Sequence, residues 1–335
     1  MNATILVVSQ DGAQSRLDRY LKRNVTGLTQ GVIQKLCRMG KIRIDGKRAE
    51  AGTHLTEGAT ITLPPIAAPA PAKPRQTVPM DPRRVRELEA MVLYRDDSVI
   101  VLNKPAGLPT QGGRNIPMHL DGMLDLLRFE SPERPKLVHR LDRDTSGVLL
   151  LARGTQAAAR LAAAFRGRDV EKIYLALLTG VPQPQNGRID LPLARIVSGG
   201  TARAQPAGRQ DPDALKAITD YKILDHAGRK YALAELAPQT GRMHQLRAHC
   251  LALGTPIVGD AAYGAVFPEG LAPQLHLHAR RLTFPHPEGG LLTIEADLPR
   301  HMRESLAHLG LTAGQTARPQ RTGQAQPAIR HHRAP

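Results

Sequence analysis

The chain has 335 residues, 41% of them hydrophobic and 23% charged, which is room for two domains and the composition of an ordinary water-exposed globular protein. No apolar run approaches the roughly 20 residues that a membrane-spanning helix needs, and the opening MNATILVVSQDGAQ lacks the basic flank, apolar stretch and cleavage site of a secretory leader. Only 2 cysteines are present, Cys37 and Cys250, so no disulfide framework is expected and a reducing compartment, the cytoplasm, is expected.

The net charge of +16 is unevenly placed. Residues 1–63 carry 10 Lys/Arg against 5 Asp/Glu, residues 64–86 carry 5 against 1, and residues 311–335 carry 4 against none, while 87–310 is nearly balanced at 27 against 24. Basic accessories on an almost neutral body suit the binding of a polyanion.

In chain order, Ser15 is an N-cap candidate for a first helix with Leu17, Tyr20 and Leu21 at helical spacing. Thr29 is a cap candidate for a second, with Val32, Ile33, Leu36 and Cys37 on one face and Gly40 as its stop. Asp45-Gly46 between short alternating runs signals a tight hairpin, and ATITL (59–63) reads as a further strand. Lys35, Arg38, Lys41, Arg43, Lys47 and Arg48 fall on the second helix and the hairpin, where they would lie together and bind phosphate without reading sequence. Residues 64–86 form a basic Pro/Ala-rich linker, semi-extended over its first part. The body at 87–310 offers strands at VIVLN (99–103), VLLLA (148–152), IYLALL (173–178), ITDYKIL (218–224) and YALAELA (231–237). A helix capped by Thr155 buries Ala158, Leu161, Ala162 and Phe165 and closes at Gly167. Another runs from His244 to Leu253 and stops at Gly254. The strands keep no βαβ rhythm, so the expected class is α+β with a mainly antiparallel or mixed sheet, beside a small N-terminal α/β domain. The Gln-, Arg- and Pro-rich tail at 311–335 is expected to be disordered.

The stretch most charged with chemistry is His139–Ala152, H-R-L-D-R-D-T-S-G-V-L-L-L-A, where compact polar groups lead into an apolar strand. Three readings compete. D-x-D-x-S-G imitates the start of a calcium loop, but its twelfth position is Arg153 rather than a bidentate Glu. D-x-D-T imitates an aspartate phosphotransferase, in which the apolar strand precedes the aspartates, whereas here it follows. The third reading is a lone catalytic carboxylate, Asp142, held among arginines. His276 and His278 form an H-x-H, more often structural than a metal site, and two lone cysteines make no zinc site.

H-R-L-D-R-D-T-S-G resembles the signature of the RluA-type pseudouridine synthases, and other segments follow in that family's order: V-L-N-K-P-A-G (101–107), E-K-I-Y-L-A-L (171–177), T-G-R-M-H-Q-L-R-A-H (240–249), L-G-T-P-I-V-G-D-A-A-Y-G (253–264) and L-H-L-H-A (275–279). The resemblance covers roughly 95–300. R-L-D-R-Y-L (16–21) and Val32–Gly46 resemble an S-four-like RNA-binding domain. Together they look most like the large-subunit ribosomal RNA enzymes of the C type. The resemblance implies a cofactor-free and metal-free enzyme that turns uridines of RNA into pseudouridine, with Asp142 as the catalytic residue. It also implies that Tyr174 stacks on the target uracil and that Arg242 pairs with Asp142. Arg140 and Lys104 are expected to meet the RNA backbone or brace the pocket. After K-P-A-G the chain departs from the family with L-P-T-Q-G-G, a loop expected at the RNA-facing rim, and 198–215 aligns poorly. The implied partner is RNA, most of all large-subunit ribosomal RNA; neither a membrane nor an obligate protein partner is indicated. Two other classes compete: a non-catalytic RNA-binding or ribosome-assembly protein on the same fold, and a magnesium-dependent phosphotransferase using Asp142 and Asp144.

Overall fold

The computed structural model describes residues 4–25, 27–65, 81–113, 116, 118–198, 201–208, 210–264, 268–313 and 320–322. The chain divides into two compact units, Met1–Pro79 and Met80–Pro335. Among the described residues no helix is long and apolar enough to cross a membrane.

The first unit contains β1 (Thr4–Val7), α1 (Leu17–Asn24), α2 (Gln30–Arg38), β2 (Arg43–Ile44), β3 (Lys47–Arg48) and β4 (Thr60–Leu63), with the strands ordered β1-β4-β2-β3. Leu17 and Leu21 on one face of α1 meet Ile33, Cys37, Ile42 and Ile61 in a small core. Thr29 caps α2 through Val32 N–H. Asp45 and Gly46 have φ of 48° and 74°, the two positive values that a tight hairpin turn of the right twist requires. The expected buried face of α2 is narrower by one residue, because Val32 is exposed. Lys35, Arg38, Lys41, Arg43, Lys47 and Arg48 are all exposed. Arg43 donates to Gly46 O and so braces the turn, and Arg48 donates to Arg38 O and so ties the hairpin to the end of α2.

The second unit opens with α3 (Pro82–Glu89), capped by Asp81 and with Pro82 in its first turn. The end of the expected linker is therefore helix, and its stretch 66–80 lies outside the described residues. There follow β5 (Val92–Arg95), β6 (Val99–Lys104), α4 (Leu120–Met123), β7 (Lys136–Leu137), β8 (Ser146–Ala152), α5 (Thr155–Gly167), β9 (Glu171–Thr179), β10 (Asn186–Asp190), β11 (Leu193–Ser198), β12 (Thr201–Pro206), β13 (Ile218–Ala227), β14 (Tyr231–Pro238), α6 (Gln245–Ala252), β15 (Leu277–Pro285), β16 (Leu291–Glu295), α7 (Arg300–His308) and β17 (Gln320–Thr322). One large sheet runs β10-β13-β14-β9-β15-β8-β6-β5, with β7 on β8, and β16 and β17 beyond β15; β11 and β12 form a separate hairpin. Of the pairings described, only β8 with β15 is parallel, so the α+β class with a mainly antiparallel sheet is what forms. β8 is buried throughout, which explains its unbroken apolar run.

Several local expectations change. Thr155 is the first residue of α5 rather than its cap, since Gly154 holds that position and the Thr155 hydroxyl meets Glu133 and Lys136. The left-handed residue that ends α5 is Arg168, not Gly167. The tail is not wholly without structure: Leu311 is buried, Thr312 N–H donates to Asp225, and Gln320–Thr322 pairs with the open edge of β16. The rest of the tail, 314–319 and 323–335, lies outside the described residues.

His276 and His278 are fully buried, and each is committed to hydrogen bonds. His276 lies 2.8 Å from both Gln274 O and the Ser305 hydroxyl, and His278 lies 2.9 Å from the Ser146 hydroxyl and 3.3 Å from Ala296 O. Burial pushes both imidazoles down to about 4. In the unfolded chain they titrate near 6.5, so on acidification the unfolded state takes up protons first and stability is lost as pH falls from about 6.5 toward 4. Lowering the pH from 7 to 5 should remove about 2 kcal/mol per histidine, read as a falling urea midpoint, and His278→Gln should flatten that dependence.

Gly147 has a φ of 110°, and a Cβ there would stand 2.2 Å from Ala279 O across the β8–β15 pairing. Gly147→Ala should destabilise the second unit by about 3 kcal/mol or more. Gly228→Ala, where φ is 56° and a Cβ meets nothing within 4 Å, should cost only about 1 kcal/mol. Thermal melts of both variants measure the difference.

Candidate active site

Asp142 lies in the loop that leads into β8, and that loop is clamped from behind. The Thr110 hydroxyl donates to Leu141 O at 2.7 Å and accepts from Leu141 N–H at 3.3 Å. Gly107 N–H donates to Arg143 O at 2.9 Å. Lys104 has no exposure, and its Nζ donates to Pro105 O, Leu108 O and Arg143 O at 2.8, 2.9 and 3.0 Å. Three donors meet three carbonyls. Burial draws the Lys104 ammonium down to about 8 against the pull of Asp144 and Asp142. Lys104 is thus a brace, and the expectation that it touches the RNA backbone is corrected: its charge never reaches the surface. The L-P-T-Q-G-G loop is corrected in part, since Thr110 is buried beneath the loop it holds.

The sheet places the other side chains by register. Gly147 on β8 pairs with Ala279 on β15, and Ala279 pairs on its other side with Tyr174 on β9. Tyr174 in turn faces Leu236 on β14, the strand that feeds α6. Asp142, Tyr174 and the start of α6 therefore open onto one cavity of about 870 Å³. Burial first, and the charge of Asp142 second, raise the Tyr174 phenol above its usual value, so it stays protonated.

The turn before α6 is fixed by Gln245. Its Oε1 accepts from the Thr240 hydroxyl and Arg242 N–H at 2.7 and 3.1 Å, and its Nε2 donates to Ile218 O and the Thr219 hydroxyl at 2.9 and 3.0 Å. Every bonding position of that amide is used. Arg242 lines the cavity, but its Nε donates to Lys216 O at 3.0 Å and its side chain lies toward solvent. The guanidinium beside the carboxylate belongs to Arg247 instead. Its Nη1 stands 3.8 Å from Asp142 Oδ2, while Nε and Nη2 hold Asp260 at 2.8 and 2.6 Å. The expected pairing of Asp142 with Arg242 is corrected on this geometry. Arg247 is in the first turn of α6, whose buried face turns it inward, whereas Arg242 precedes the helix and is held outward by Lys216.

Burial opposes the charge of Arg247, but the hydrogen bonds and charge of Asp260, with Asp142 beyond, outweigh it and hold the guanidinium above its usual value. The Tyr263 ring lies 4.9 Å from the guanidinium carbon. His244 Nε2 is 3.9 Å from Asp142 Oδ2. His139 accepts from Leu150 N–H at 2.8 Å and stacks on Phe165, and burial brings it down to about 3. Arg140 is exposed at the cavity lining. Arg247, Asp260, His244 and Tyr263 were not singled out from the sequence, although all four lie inside the quoted segments 240–249 and 253–264.

A model of the family described as RNA pseudouridylate synthase matches residues 98–252. The "ribosomal large subunit pseudouridine synthase C" of Rickettsia bellii is 37% identical over 86% of this chain and 95% of its own length. Its counterpart in Vibrio cholerae is 31% identical over 90% and 95%. Among solved structures, human RNA pseudouridylate synthase domain containing 4 covers 70% of this chain and 98% of its own at 31% identity and a TM-score of 0.58. Human RNA pseudouridylate synthase domain containing 1 covers 72% and 92% at 32% identity and a TM-score of 0.54.

The buried Arg247–Asp260 pair should show strong coupling. Asp260→Asn or Arg247→Met alone leaves a buried charge unpaired and should cost about 3–5 kcal/mol. The double variant should cost clearly less than the two together, which a double-mutant cycle by urea unfolding measures.

Proposed function

We infer, from the premise that this chain belongs to the RNA pseudouridylate synthase family, that it isomerises uridines of large-subunit ribosomal RNA and that Asp142 is the carboxylate that does so. The observation that carries the reading is the convergence of Asp142, Tyr174 and Arg247 on a single cavity, whose size falls in the range of roughly 300–1,000 Å³ that encloses a small ligand.

The reaction breaks the bond from ribose C1′ to uracil N1 and joins C1′ to C5; C5 gives up its proton and N1 takes one up, so the product is an isomer of uridine. Nothing is oxidised or reduced. Two routes start from the same carboxylate: attack on C1′, or removal of a ribose proton to give a glycal. Both need Asp142 as an anion, oriented and near a cation, which is what Arg247 supplies at 3.8 Å. The target base must leave its stack, and flipping costs a few kcal/mol that an aromatic platform partly offsets. Tyr174 is that platform, and its protonated phenol can exchange a proton near C5. Arg140 holds phosphate at the cavity mouth.

The exposed Lys35, Arg38, Lys41, Arg43 and Lys47 make the first unit, read as an S-four-like RNA-binding domain, an electrostatic grip on RNA backbone. Reaction on ribosomal RNA and two free buried cysteines fit a cytoplasmic protein. The phosphotransferase reading is disfavoured by charge, since Arg247 and His244 rather than further carboxylates face Asp142, and Asp144 is bound to Arg143 at 3.1 Å.

With large-subunit ribosomal RNA carrying tritium at uracil C5, the wild type should release tritium and Asp142→Asn should lose roughly 1,000-fold or more while still binding RNA. Arg247→Gln should lose roughly 100-fold, and Arg242→Gln no more than about tenfold. Equal release by Asp142→Asn and the wild type would remove Asp142 from the chemistry. An inactive wild type that still binds RNA would favour the ribosome-assembly alternative.

A further inference from the structure

His244 immediately precedes α6 with a φ of 51° and ψ of 22°, left-handed values that residues with side chains adopt uncommonly. That backbone brings Nε2 to 3.9 Å from Asp142 Oδ2 and leaves Nδ1 at 3.1 Å from the Tyr263 hydroxyl. Tyr263 is 5% exposed, and its oxygen accepts the Ala204 N–H of β12 at 2.9 Å. The directions in this chain follow from proton counting. A backbone N–H only donates, so the Tyr263 oxygen is an acceptor toward Ala204. If His244 Nδ1 also carried a proton, the same oxygen would accept twice, and the phenolic proton would be buried with no acceptor, a costly arrangement. The Tyr263 hydroxyl therefore donates to Nδ1, and the imidazole proton sits on Nε2, on the side of Asp142. Burial lowers the His244 pKa, with Arg247 and Arg140 acting the same way and Asp142 and Asp260 opposing, which favours the neutral ring.

We propose that His244, held as the Nε2–H tautomer by the Ala204–Tyr263 relay, is a positioning residue that donates to Asp142 Oδ2 once RNA fills the cavity and so directs the other carboxylate oxygen at the ribose. This rests on Asp142 being the reacting carboxylate. Arg247 and His244 then share Oδ2 between them, at 3.8 and 3.9 Å, and catalytic contacts of this length tighten when substrate binds. The arrangement also gives the β11–β12 hairpin a part in the site, because its Ala204 N–H sets the direction of the relay.

The test uses the full-length protein with histidine nitrogens labelled, the His244 signals being assigned by their loss in His244→Gln. The long-range proton–nitrogen spectrum should show Nε2 protonated and Nδ1 bare, and Tyr263→Phe should turn this into a mixture of tautomers. In tritium release from ribosomal RNA, Tyr263→Phe should lower kcat about tenfold and His244→Ala roughly 10- to 100-fold, with KM within about twofold of the wild type. His244→Gln, which keeps an N–H near the same place, should recover part of the loss. A wild-type ring protonated on Nδ1 overturns the proposal, and so does a Tyr263→Phe variant with unchanged tautomer and unchanged kcat. If the wild type releases no tritium, the assignment of function fails, and the spectrum alone still decides the relay.

Discussion

The buried pair of Arg247 and Asp260 is the constraint on which the site depends. A guanidinium is a planar fork with five donors, and Asp260 occupies one edge of it through Nε and Nη2. That leaves Nη1 directed toward Asp142 at a distance too long for a hydrogen bond. The consequence is specific. Asp142 feels a nearby positive charge without being locked to it. A guanidinium free of Asp260 would be drawn into its own two-pronged bond with Asp142, and the carboxylate would lose its freedom to approach a ribose. Asp260 thus pairs the buried charge of Arg247 and fixes the orientation of its guanidinium.

Behind the carboxylate, the same economy of groups is visible in the loop clamp. Lys104 carries a charge into the interior only to gather three backbone carbonyls from two segments, 105–108 and 143. Thr110 uses one hydroxyl in both directions on Leu141. These bonds fix the backbone on both sides of Asp142, so the loop needs no regular secondary structure to be rigid. Gly147 then lets β8 lie against β15 closely enough for the sheet to continue to Tyr174, because any side chain there would collide with Ala279.

The two units divide the physical work. The first concentrates exposed lysines and arginines on a helix and a hairpin over a small apolar core, a surface suited to gripping a phosphate backbone without reading bases. The second sets its buried charges around one site, where Arg247 is paired with Asp260 and Lys104 is spent on carbonyls. That difference was already present in the distribution of charge along the chain.

The sequence by itself determined the class of fold, the positions of β6, β8, β9, β13 and β14, the helices α5 and α6 and the Asp45-Gly46 hairpin. It did so because alternation, helical spacing, caps and turn residues act within a few neighbours. Through the family resemblance of its local strings it also pointed to Asp142 and Tyr174. The same resemblance named Arg242, the first arginine of T-G-R-M-H-Q-L-R-A-H, as the partner of Asp142, and the tertiary structure places Arg247 there instead. The reason is that the choice turns on the helix beginning at Gln245, on Lys216 O capturing Arg242 from 26 residues away, and on Asp260 arriving from 13 residues beyond to hold the other guanidinium. The exposed or buried state of Lys104, the edge strand at 320–322 and the direction of the His244 ring are likewise products of contacts between distant segments, and local pattern carries no record of them.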